Sequence, residues 1–347
     1  MAAQVVGFRD QLAYLMPFKK PEGLAAGARV MAAPERNGPM IGPGWLGRIV
    51  NGLGEPMDGL GRLPGDHPLP ATPPKINPLR KKPVHEPLDV GVRALNGLLT
   101  LGRGQRVGLM AGSGVGKSVL LGMITRNTVA DVVVVGLIGE RGREVREFID
   151  LSLGAEGLAR SVVVVAPADE SPLMRLRATE LCHSIAAHYR DQGRHVLLLV
   201  DSLTRYAMAR REVALALGEP PATRGYDQQD PVVDTARAIL DGHIVLSRAL
   251  AERGHYPAID IGQSISRCMG LVAGQEQLQA ARQLKQLMAR YEQVRELMPL
   301  GAYVPGADPA TDRAVALWPR IEAFLHQGTH EAAPLAETRA RLKEMLQ

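Results

Sequence analysis

The chain has 347 residues, of which 46% are hydrophobic and 22% charged; this composition allows a substantial core and excludes a disordered chain or a disulfide scaffold. The 41 Lys and Arg exceed the 36 Asp and Glu, a balance that suits polyphosphate ligands, acidic partners or an anionic membrane surface without selecting among them. Only four Phe and two Trp occur, which argues mildly against a surface of aromatic platforms for single-stranded nucleic acid.

The two cysteines, Cys182 and Cys268, are not spaced as a metal site, and no cleavable secretory segment precedes them. A reduced, cytosolic location is therefore expected. The longest apolar runs are far shorter than the roughly 18 residues that a membrane-spanning helix needs, so we expect any membrane association to be peripheral.

Residues 1–51 contain three short apolar runs, at 5–8, 12–15 and 28–31, separated by Gly, Pro and charged residues. This pattern predicts short strands, too few for a closed barrel, and hence a partial N-terminal β domain. Residues 52–87 are crowded with Gly and Pro, which predicts an extended linker and a domain boundary.

From residue 88 onward apolar runs alternate with helical stretches. The predicted strands are 106–111, 132–138, 161–166 and 195–200, and the predicted helices are 117–127, 144–153, 172–190 and 204–217. Uninterrupted Val and Leu runs indicate strands covered on both faces, as in a parallel sheet flanked by helices. The sequence therefore predicts a doubly wound α/β domain over residues 88–272, followed by a small helical domain over residues 273–347.

A glycine-rich loop joins the first of these strands to the first helix. Residues 111–118 read Ala-Gly-Ser-Gly-Val-Gly-Lys-Ser, which is a P-loop with Ala111 at the position of its first glycine. Backbone N–H groups of such a loop point at phosphate oxygens, while Lys117 reaches the β- and γ-phosphates and the Ser118 hydroxyl ligates Mg²⁺. The predicted nucleotide-binding residues are Gly112, Ser113, Gly114, Val115, Gly116, Lys117, Ser118 and Val119.

Two carboxylates follow buried strands downstream. Asp201 ends the strand at 195–200 and is predicted to be the Walker B aspartate that supports Mg²⁺. Glu140 follows the strand at 132–138, where a carboxylate can orient water toward the γ-phosphate, and Arg141 beside it is a further catalytic candidate. On pattern alone, Glu140 and Arg141 could equally form a surface ion pair.

Two further candidates come from the segment before residue 270. Arg267 follows a short polar turn and could stabilise transition-state charge on a neighbouring subunit's nucleotide, although a solvated surface arginine is the commoner outcome. Tyr256 could present its ring to adenine, although a tyrosine beside a proline more often packs.

Seven segments together resemble the type III secretion and flagellar export ATPases, which belong to the rotary F₁/V-type family. These segments are 111–118, 139–145 (GERGREV), 201–207 (DSLTRYA), 218–226 (GEPPATRGY), 241–248 (DGHIVLSR), 254–260 (GHYPAID) and 300–303 (LGAY). The resemblance spans nearly the whole chain and implies a RecA-like core that hydrolyses ATP with Mg²⁺.

The resemblance also implies roles and partners that spacing alone does not. It assigns water activation to Glu140 and places Arg267 in trans, within a homohexamer whose active sites lie between subunits. It further implies a position at the cytoplasmic face of the inner membrane, release of chaperones from cargo, and unfolding of export substrates. The implied partners are a stator-like regulator, a central stalk protein and chaperone–substrate complexes, with no nucleic acid expected.

The sequence departs from the family pattern in two places. The family's N-terminal β-barrel is present only in part, so we expect a shortened N-terminal region. Tyr226 runs directly into Asp227, where relatives have a few dozen residues that include a core strand. A parallel crossover needs a dozen or more residues, so a true deletion here would remove a sheet element; we expect further residues at this junction, which intact mass would test.

Two other functions are compatible with the same fold. A nucleic-acid translocase on the same fold would carry an RNA-binding domain with stacking aromatics, which the sequence does not offer. A non-hydrolysing nucleotide-binding ring subunit would lack the Lys117 or Glu140 equivalent, and both are present. Residues 181–183 and 189–193 favour the virulence branch of secretion slightly over the flagellar branch.

Overall fold

The structure is a computed structural model that describes residues 1–25, 27–32, 38–73, 75–112, 114–219 and 237–346. Its strands are β1 (Ala3–Arg9), β2 (Leu12–Pro17), β3 (Met40–Ile41), β4 (Arg48–Asn51), β5 (His67–Pro68), β6 (Pro87–Leu88), β7 (Leu101–Gly102), β8 (Gly108–Met110), β9 (Val132–Ile138), β10 (Ser161–Ala166), β11 (Val196–Asp201), β12 (Gly242–Leu246) and β13 (Ile259–Ser266). The α-helices are α1 (Arg93–Leu98), α2 (Lys117–Asn127), α3 (Gly142–Glu147), α4 (Gly154–Ala159), α5 (Pro172–Asp191), α6 (Leu203–Ala216), α7 (Arg248–Glu252), α8 (Met269–Val272), α9 (Gln275–Arg295), α10 (Pro309–Leu325) and α11 (Leu335–Leu346). Short 3₁₀ turns lie at Pro43–Trp45 and Pro78–Arg80, and a π-helical segment, Phe148–Leu153, joins α3 to α4.

The chain forms two compact units, each assembled from two separate stretches of sequence. The first comprises residues 1–79 and 130–224, and the second comprises residues 80–129 and 225–347. The sequence prediction of consecutive domains at 1–51, 52–87, 88–272 and 273–347 therefore differs from this division, because residues 80–129 group with the C-terminal half.

The first unit is built on a four-stranded sheet with the order β11-β9-β10-β4, in which every neighbouring pair is parallel. Strands β9 and β10 are Val-rich and buried along their whole length, which is what strands covered on both faces require. Helix α5 packs its apolar face on this sheet. Its start is fixed by Ser171, whose hydroxyl accepts a hydrogen bond from the Met174 N–H, and by Pro172 at the first helical position.

Two smaller strand pairs complete the first unit: the antiparallel hairpin β1–β2 and the pair β3–β5. Two expectations for this region need correction. Residues 28–31, predicted as a strand, form none within the described stretch 27–32; Val30 and Met31 are exposed and have no buried face to pair against. Arg48–Asn51, predicted to belong to a separate β segment, instead pairs with β10 in the main sheet.

The second unit contains a three-stranded sheet, β13-β12-β8, and the helices that follow it in sequence. Strand β12 is parallel to β8 and antiparallel to β13. Helices α1, α2 and α9–α11 share one hydrophobic core with the buried side chains of this sheet. Buried Gln327 accepts from the Arg93 N–H at 2.7 Å and donates to the Gly91 carbonyl at 2.8 Å, which ties the C-terminal helices to α1.

Candidate nucleotide-binding and catalytic site

The P-loop of the second unit follows β8 and runs into the first turn of α2, as predicted. Gly114 and Gly116 have φ angles of +78° and +90°, a region that glycine enters without steric cost. Val115 between them is 2% exposed and anchors the loop in the core. Ser113, one of the predicted binding residues, lies outside the described residues.

Helix α2 begins where the loop ends, so Lys117 and Ser118 lie in its first turn. The first N–H groups of a helix have no intrahelical acceptor, and together with the helix dipole they form a site for anionic groups. The first intrahelical bond runs from the Leu120 N–H to the Gly116 carbonyl, at 2.9 Å. Ser118 and Val119 are exposed, so this end of the helix is open to a ligand.

Tyr256 lies beside the loop in the same unit. A β-carbon at Gly116 would come 3.5 Å from the Tyr256 ring, which is 39% exposed. The Tyr256 carbonyl accepts a hydrogen bond from the Gln327 N–H at 2.9 Å, which fixes the backbone of this turn. The ring is thus held next to the phosphate-binding loop with one side open, as expected for a residue that stacks on a base.

An open pocket of about 310 Å³ connects the loop with this ring. It is lined by Gly114, Val115, Arg248, Ala251, Glu252 and Tyr256. The pocket adds two residues, Arg248 and Glu252, that were not predicted as site residues. The signal that could have indicated them is the position of α7 directly after β12, because the carboxyl ends of the parallel strands β12 and β8 lie at the same end of the sheet.

Glu140 and Asp201 follow two paired strands of the first unit. Strand β11 pairs in parallel with β9, with Asp201 opposite Leu137, so Glu140 lies three positions beyond that pair at the same edge of the sheet. Asp201 is 6% exposed, and the Glu140 carbonyl accepts from the Ala168 N–H at 3.0 Å. The two carboxylates are therefore brought to one edge of the sheet, where ligands of α/β folds bind.

Arg141 caps the helix that follows Glu140. Its backbone N–H donates to the Glu144 carboxylate at 3.3 Å, and α3 begins at the next residue. The Arg141 side chain is exposed. This geometry gives Arg141 a helix-starting role in addition to the catalytic role predicted from sequence.

Arg267 lies at the far end of the sheet that carries the P-loop. Strand β13 runs antiparallel to β12, and its last residue, Ser266, pairs with Gly242 at the beginning of β12. Because β12 and β8 are parallel, Arg267 is at the amino end of β8, whereas the P-loop follows its carboxyl end. Arg267 and the P-loop of the same chain thus lie at opposite ends of the strands of this sheet.

Local contacts fix the backbone at Arg267. Its N–H donates to the Asp241 carbonyl at 3.0 Å, and its guanidinium donates to the Arg237 carbonyl at 3.3 Å. Partial burial alone would raise the pKa of the Asp241 carboxyl, but its hydrogen bonds with Arg106 and the charges of Arg106 and Arg267 lower that pKa overall. Asp241 consequently stays ionised beside Arg267.

Comparison with known families identifies this arrangement. The nucleotide-binding domain of the ATP synthase alpha/beta family matches residues 91–229 and 226–266, and the T3SS EscN ATPase C-terminal domain matches residues 273–344. The chain is therefore an ATPase with the nucleotide-binding fold of the ATP synthase α and β subunits.

Whole-chain comparisons narrow this class. The flagellum-specific ATP synthase of Pseudomonas aeruginosa is 53% identical over 380 positions, an alignment that covers 99% of this chain and 84% of that protein. The assembled ATPase EscN of the enteropathogenic E. coli type III secretion system superposes with a TM-score of 0.92 at 39% identity, covering 99% of this chain and 92% of that one. EscN in complex with its central stalk EscO gives the same TM-score at 38% identity and the same coverage. The chain belongs to the type III protein-export ATPases, and the nucleic-acid translocase alternative is not supported.

The same comparisons locate residues that relatives have and this chain lacks. An alignment of 380 positions against a chain of 347 residues leaves at least 33 positions at which this chain has no residue. The two pieces of the nucleotide-binding match meet at 226–229, where Tyr226 is followed by Asp227. That junction lies outside the described residues. In the part of the chain that the structure describes, no helix has the length and apolar character needed to cross a bilayer.

Proposed function

We propose that this ATPase hydrolyses ATP at its P-loop and supplies the energy for protein export through the flagellar branch of type III secretion. The observation that carries the proposal is the second unit's pocket, in which the P-loop and the open Tyr256 ring lie side by side. Such a pocket offers a site for a polyphosphate and a surface for a base. A nucleoside triphosphate contains both of these groups.

Each proposed role follows from a position in one of the two units. Lys117 neutralises the β- and γ-phosphates from the first turn of α2. Glu140 orients the attacking water, and Arg141 beside it contributes charge at the same strand end. Tyr256 contacts the adenine.

The proposed metal ion is Mg²⁺, which when bound neutralises charge on the β- and γ-phosphates. The Ser118 hydroxyl and the Asp201 carboxylate are oxygen donors of the kind that Mg²⁺ prefers. Each group is suitably placed within its own unit, since Ser118 is exposed in the first turn of α2 and Asp201 is the last residue of β11.

The proposed assembly is a homohexamer in which Arg267 of one subunit stabilises transition-state charge at its neighbour. Arg267 and the P-loop of its own chain lie at opposite ends of the strands, which supports action in trans. The proposed partners are a central stalk protein like EscO, a stator-like regulator and chaperone–substrate complexes, at the cytoplasmic face of the inner membrane.

The flagellar branch is proposed because identity to the flagellum-specific relative, at 53%, exceeds identity to EscN, at 39%. Residues 181–183 and 189–193 had slightly favoured the virulence branch. Those two short segments carry less weight than identity over the whole chain.

Steady-state ATP hydrolysis at increasing protein concentration tests the proposal. Activity should rise more than proportionally with concentration, since each site needs two subunits, and Lys117→Ala should abolish it. Lys343→Ala removes an exposed lysine from α11 and serves as the matched control with normal activity. Bound ATP without hydrolysis at any concentration would instead favour the non-hydrolysing ring subunit.

A further inference from the structure

Arg267 combines a fixed backbone with an exposed side chain. Its N–H donates to the Asp241 carbonyl at 3.0 Å, and the hydroxyl of the preceding Ser266 donates to the Thr100 carbonyl at 2.8 Å. The Gln105 side-chain amide links the same segments, since its Nε2 donates to the Asp241 carbonyl at 3.0 Å and to the Ser266 hydroxyl at 3.1 Å. The Arg267 side chain therefore extends from a rigid base while remaining exposed.

The Arg267 guanidinium bonds to a neutral acceptor and not to a carboxylate. It donates one hydrogen bond to the Arg237 carbonyl, at 3.3 Å, and within the part of the chain that the structure describes it forms no salt bridge. A guanidinium has five N–H donors, so most of the donors of Arg267 remain available to an anionic group.

The Asp241 carboxylate lies close enough to compete for this guanidinium. Partial burial raises the pKa of the Asp241 carboxyl, hydrogen bonds with Arg106 and the charge of Arg106 lower it, and the charge of Arg267 lowers it further. Opposite charges within this range attract each other at a protein surface. An uncompensated Asp241 would therefore draw Arg267 to itself, and an arginine held within its own chain is lost to a neighbouring subunit.

Arg106 occupies both oxygens of the Asp241 carboxylate. Its backbone N–H and its Nε donate to Asp241 Oδ2 at 3.0 and 3.2 Å, and its Nη2 donates to Oδ1 at 3.3 Å. One carboxylate compensates the charge of one guanidinium. Because Asp241 is paired with Arg106, the charge of Arg267 stays uncompensated.

We propose that Arg106 is a positioning residue for Arg267: it occupies the Asp241 carboxylate and so keeps the Arg267 guanidinium available to the nucleotide of a neighbouring subunit. The role rests on the proposed action of Arg267 in trans. Arg106 lies just before β8, which leads to the P-loop of its own chain. Even so, loss of the Arg106 side chain should impair the arginine that a chain donates and leave the P-loop of that chain intact.

Steady-state kinetics of Arg106→Ala give the first readout. Asp241 released from Arg106 should bind Arg267, so kcat should fall by roughly tenfold or more, as expected for a hydrogen bond between charged groups, while KM for ATP stays the same. Arg106→Gln keeps a hydrogen-bond donor but loses the charge, and it should show the same fall. Arg103→Ala removes an exposed arginine that pairs with Glu86 and serves as the matched control with normal kcat.

A second substitution distinguishes this role from a general effect on the fold. Adding Asp241→Asn to Arg106→Ala should restore kcat, because asparagine still accepts a hydrogen bond from the backbone N–H of residue 106 but carries no charge that attracts Arg267. A structural defect caused by the loss of the Arg106 side chain would not be repaired by removing its partner as well.

Mixed assemblies locate the defect. Arg106→Ala chains should regain hydrolysis with Lys117→Ala chains, which supply an intact arginine, and should gain nothing with Arg267→Ala chains, which have the same defect. The reference is the mixture of Arg267→Ala with Lys117→Ala; no recovery there would remove the proposed action in trans and this role with it.

With recovery in the reference mixture, the role of Arg106 can fail separately. Normal kcat in Arg106→Ala, no rescue by Asp241→Asn, no recovery with Lys117→Ala, or a gain with Arg267→Ala would each overturn it while leaving the action of Arg267 in trans intact.

Discussion

Gly139 lies directly against the side chain of Arg205, and a β-carbon at Gly139 would come 2.7 Å from the Arg205 Cβ and Cγ atoms. Gly139 connects β9 to Glu140 with a φ of +73°, and Arg205 is in the first turn of α6, just after Asp201. The contact therefore joins the two segments that carry the candidate catalytic carboxylates.

Replacing Gly139 with alanine should destabilise the first unit. The left-handed backbone costs an L-residue about 1–2 kcal/mol, and the contact with Arg205 adds to that cost. Gly142→Ala is the control, because no atom lies within 4 Å of its added β-carbon and it begins a helix that alanine favours. Denaturant unfolding of both variants checks the prediction, and an equal loss of stability in the two would contradict it.

Glu140→Gln should keep nucleotide binding and lose turnover. The change removes the charge that polarises water but preserves the side chain's shape, so the loss of turnover should be on the order of 10²–10⁴-fold. Glu147→Gln, at an exposed carboxylate of α3 that pairs with Arg143, should leave turnover unchanged. ATP binding and hydrolysis measured on the same samples separate the two effects; normal turnover in Glu140→Gln would reduce Glu140 to a structural residue.

Arg267→Ala should abolish ATP hydrolysis, and mixing this variant with Lys117→Ala should restore part of it. Loss of an arginine that acts in trans lowers turnover by about 10³–10⁵-fold. When Arg267→Ala and Lys117→Ala chains assemble together, sites that combine an intact P-loop with an intact neighbouring arginine appear again, on the order of a quarter of all sites in a random ring. Recovery of hydrolysis in the mixture is the measurement. A mixture as inactive as its components would argue that Arg267 acts within its own chain or only in folding.

Tyr256→Ala should weaken binding of ATP but not of inorganic tripolyphosphate. Stacking of an aromatic ring on a base contributes roughly 1–3 kcal/mol, and only ATP has a base. Tyr256→Phe keeps the ring and should bind both ligands normally. Competition titrations with the two ligands distinguish base stacking from a general loss of the loop's structure, which would weaken both.

The Arg48–Asp58 pair should make stability depend on pH. The Arg48 guanidinium donates two hydrogen bonds to the Asp58 carboxylate, at 2.7 and 2.8 Å, and the two side chains are 11% and 7% exposed. These bonds, aided by the Ile49 and Leu60 N–H groups, hold the pKa of Asp58 well below its usual range.

A carboxyl whose pKa is lowered by folding stabilises the native state above its unfolded pKa of about 3.9 and loses that contribution as pH falls. Asp58→Asn should therefore lower the free energy of unfolding near neutral pH, with the difference from the unmodified protein shrinking below about pH 4. Urea unfolding across this range is the measurement. Asp10→Asn, at an exposed carboxylate, is expected to show no comparable trend.

Local sequence patterns predicted those strands and helices that are each encoded by one continuous segment. The strands Val132–Ile138 and Ser161–Ala166 and the helix Lys117–Asn127 have the predicted bounds, because each is a continuous apolar or helical run with clear ends. The predicted helix at 144–153 covers most of α3 and the π-helical segment, and helical structure continues beyond it through α4 to Ala159; no glycine or proline between Arg143 and Gly154 marks the change of helix type.

Pairings between segments that are distant in sequence could not be predicted from local patterns. Arg48–Asn51 joins the main sheet beside β10, more than 100 residues later, and nothing in its four residues specifies that partner. The same holds for the contact between Gly139 and Arg205 and for Arg248 and Glu252 in the pocket. The catalytic roles of Lys117, Glu140, Arg141, Asp201 and Arg267 stay predictions.

If Arg267 acts in trans, as proposed, its position at the opposite end of the strands from the P-loop also limits how many working sites a given number of copies can form. In a head-to-tail row, the first copy offers an arginine and the last offers a P-loop with no neighbour to complete it. Such a row always has one complete site fewer than it has copies. Only closure removes that deficit, so activity per chain would report directly whether the assembly has closed.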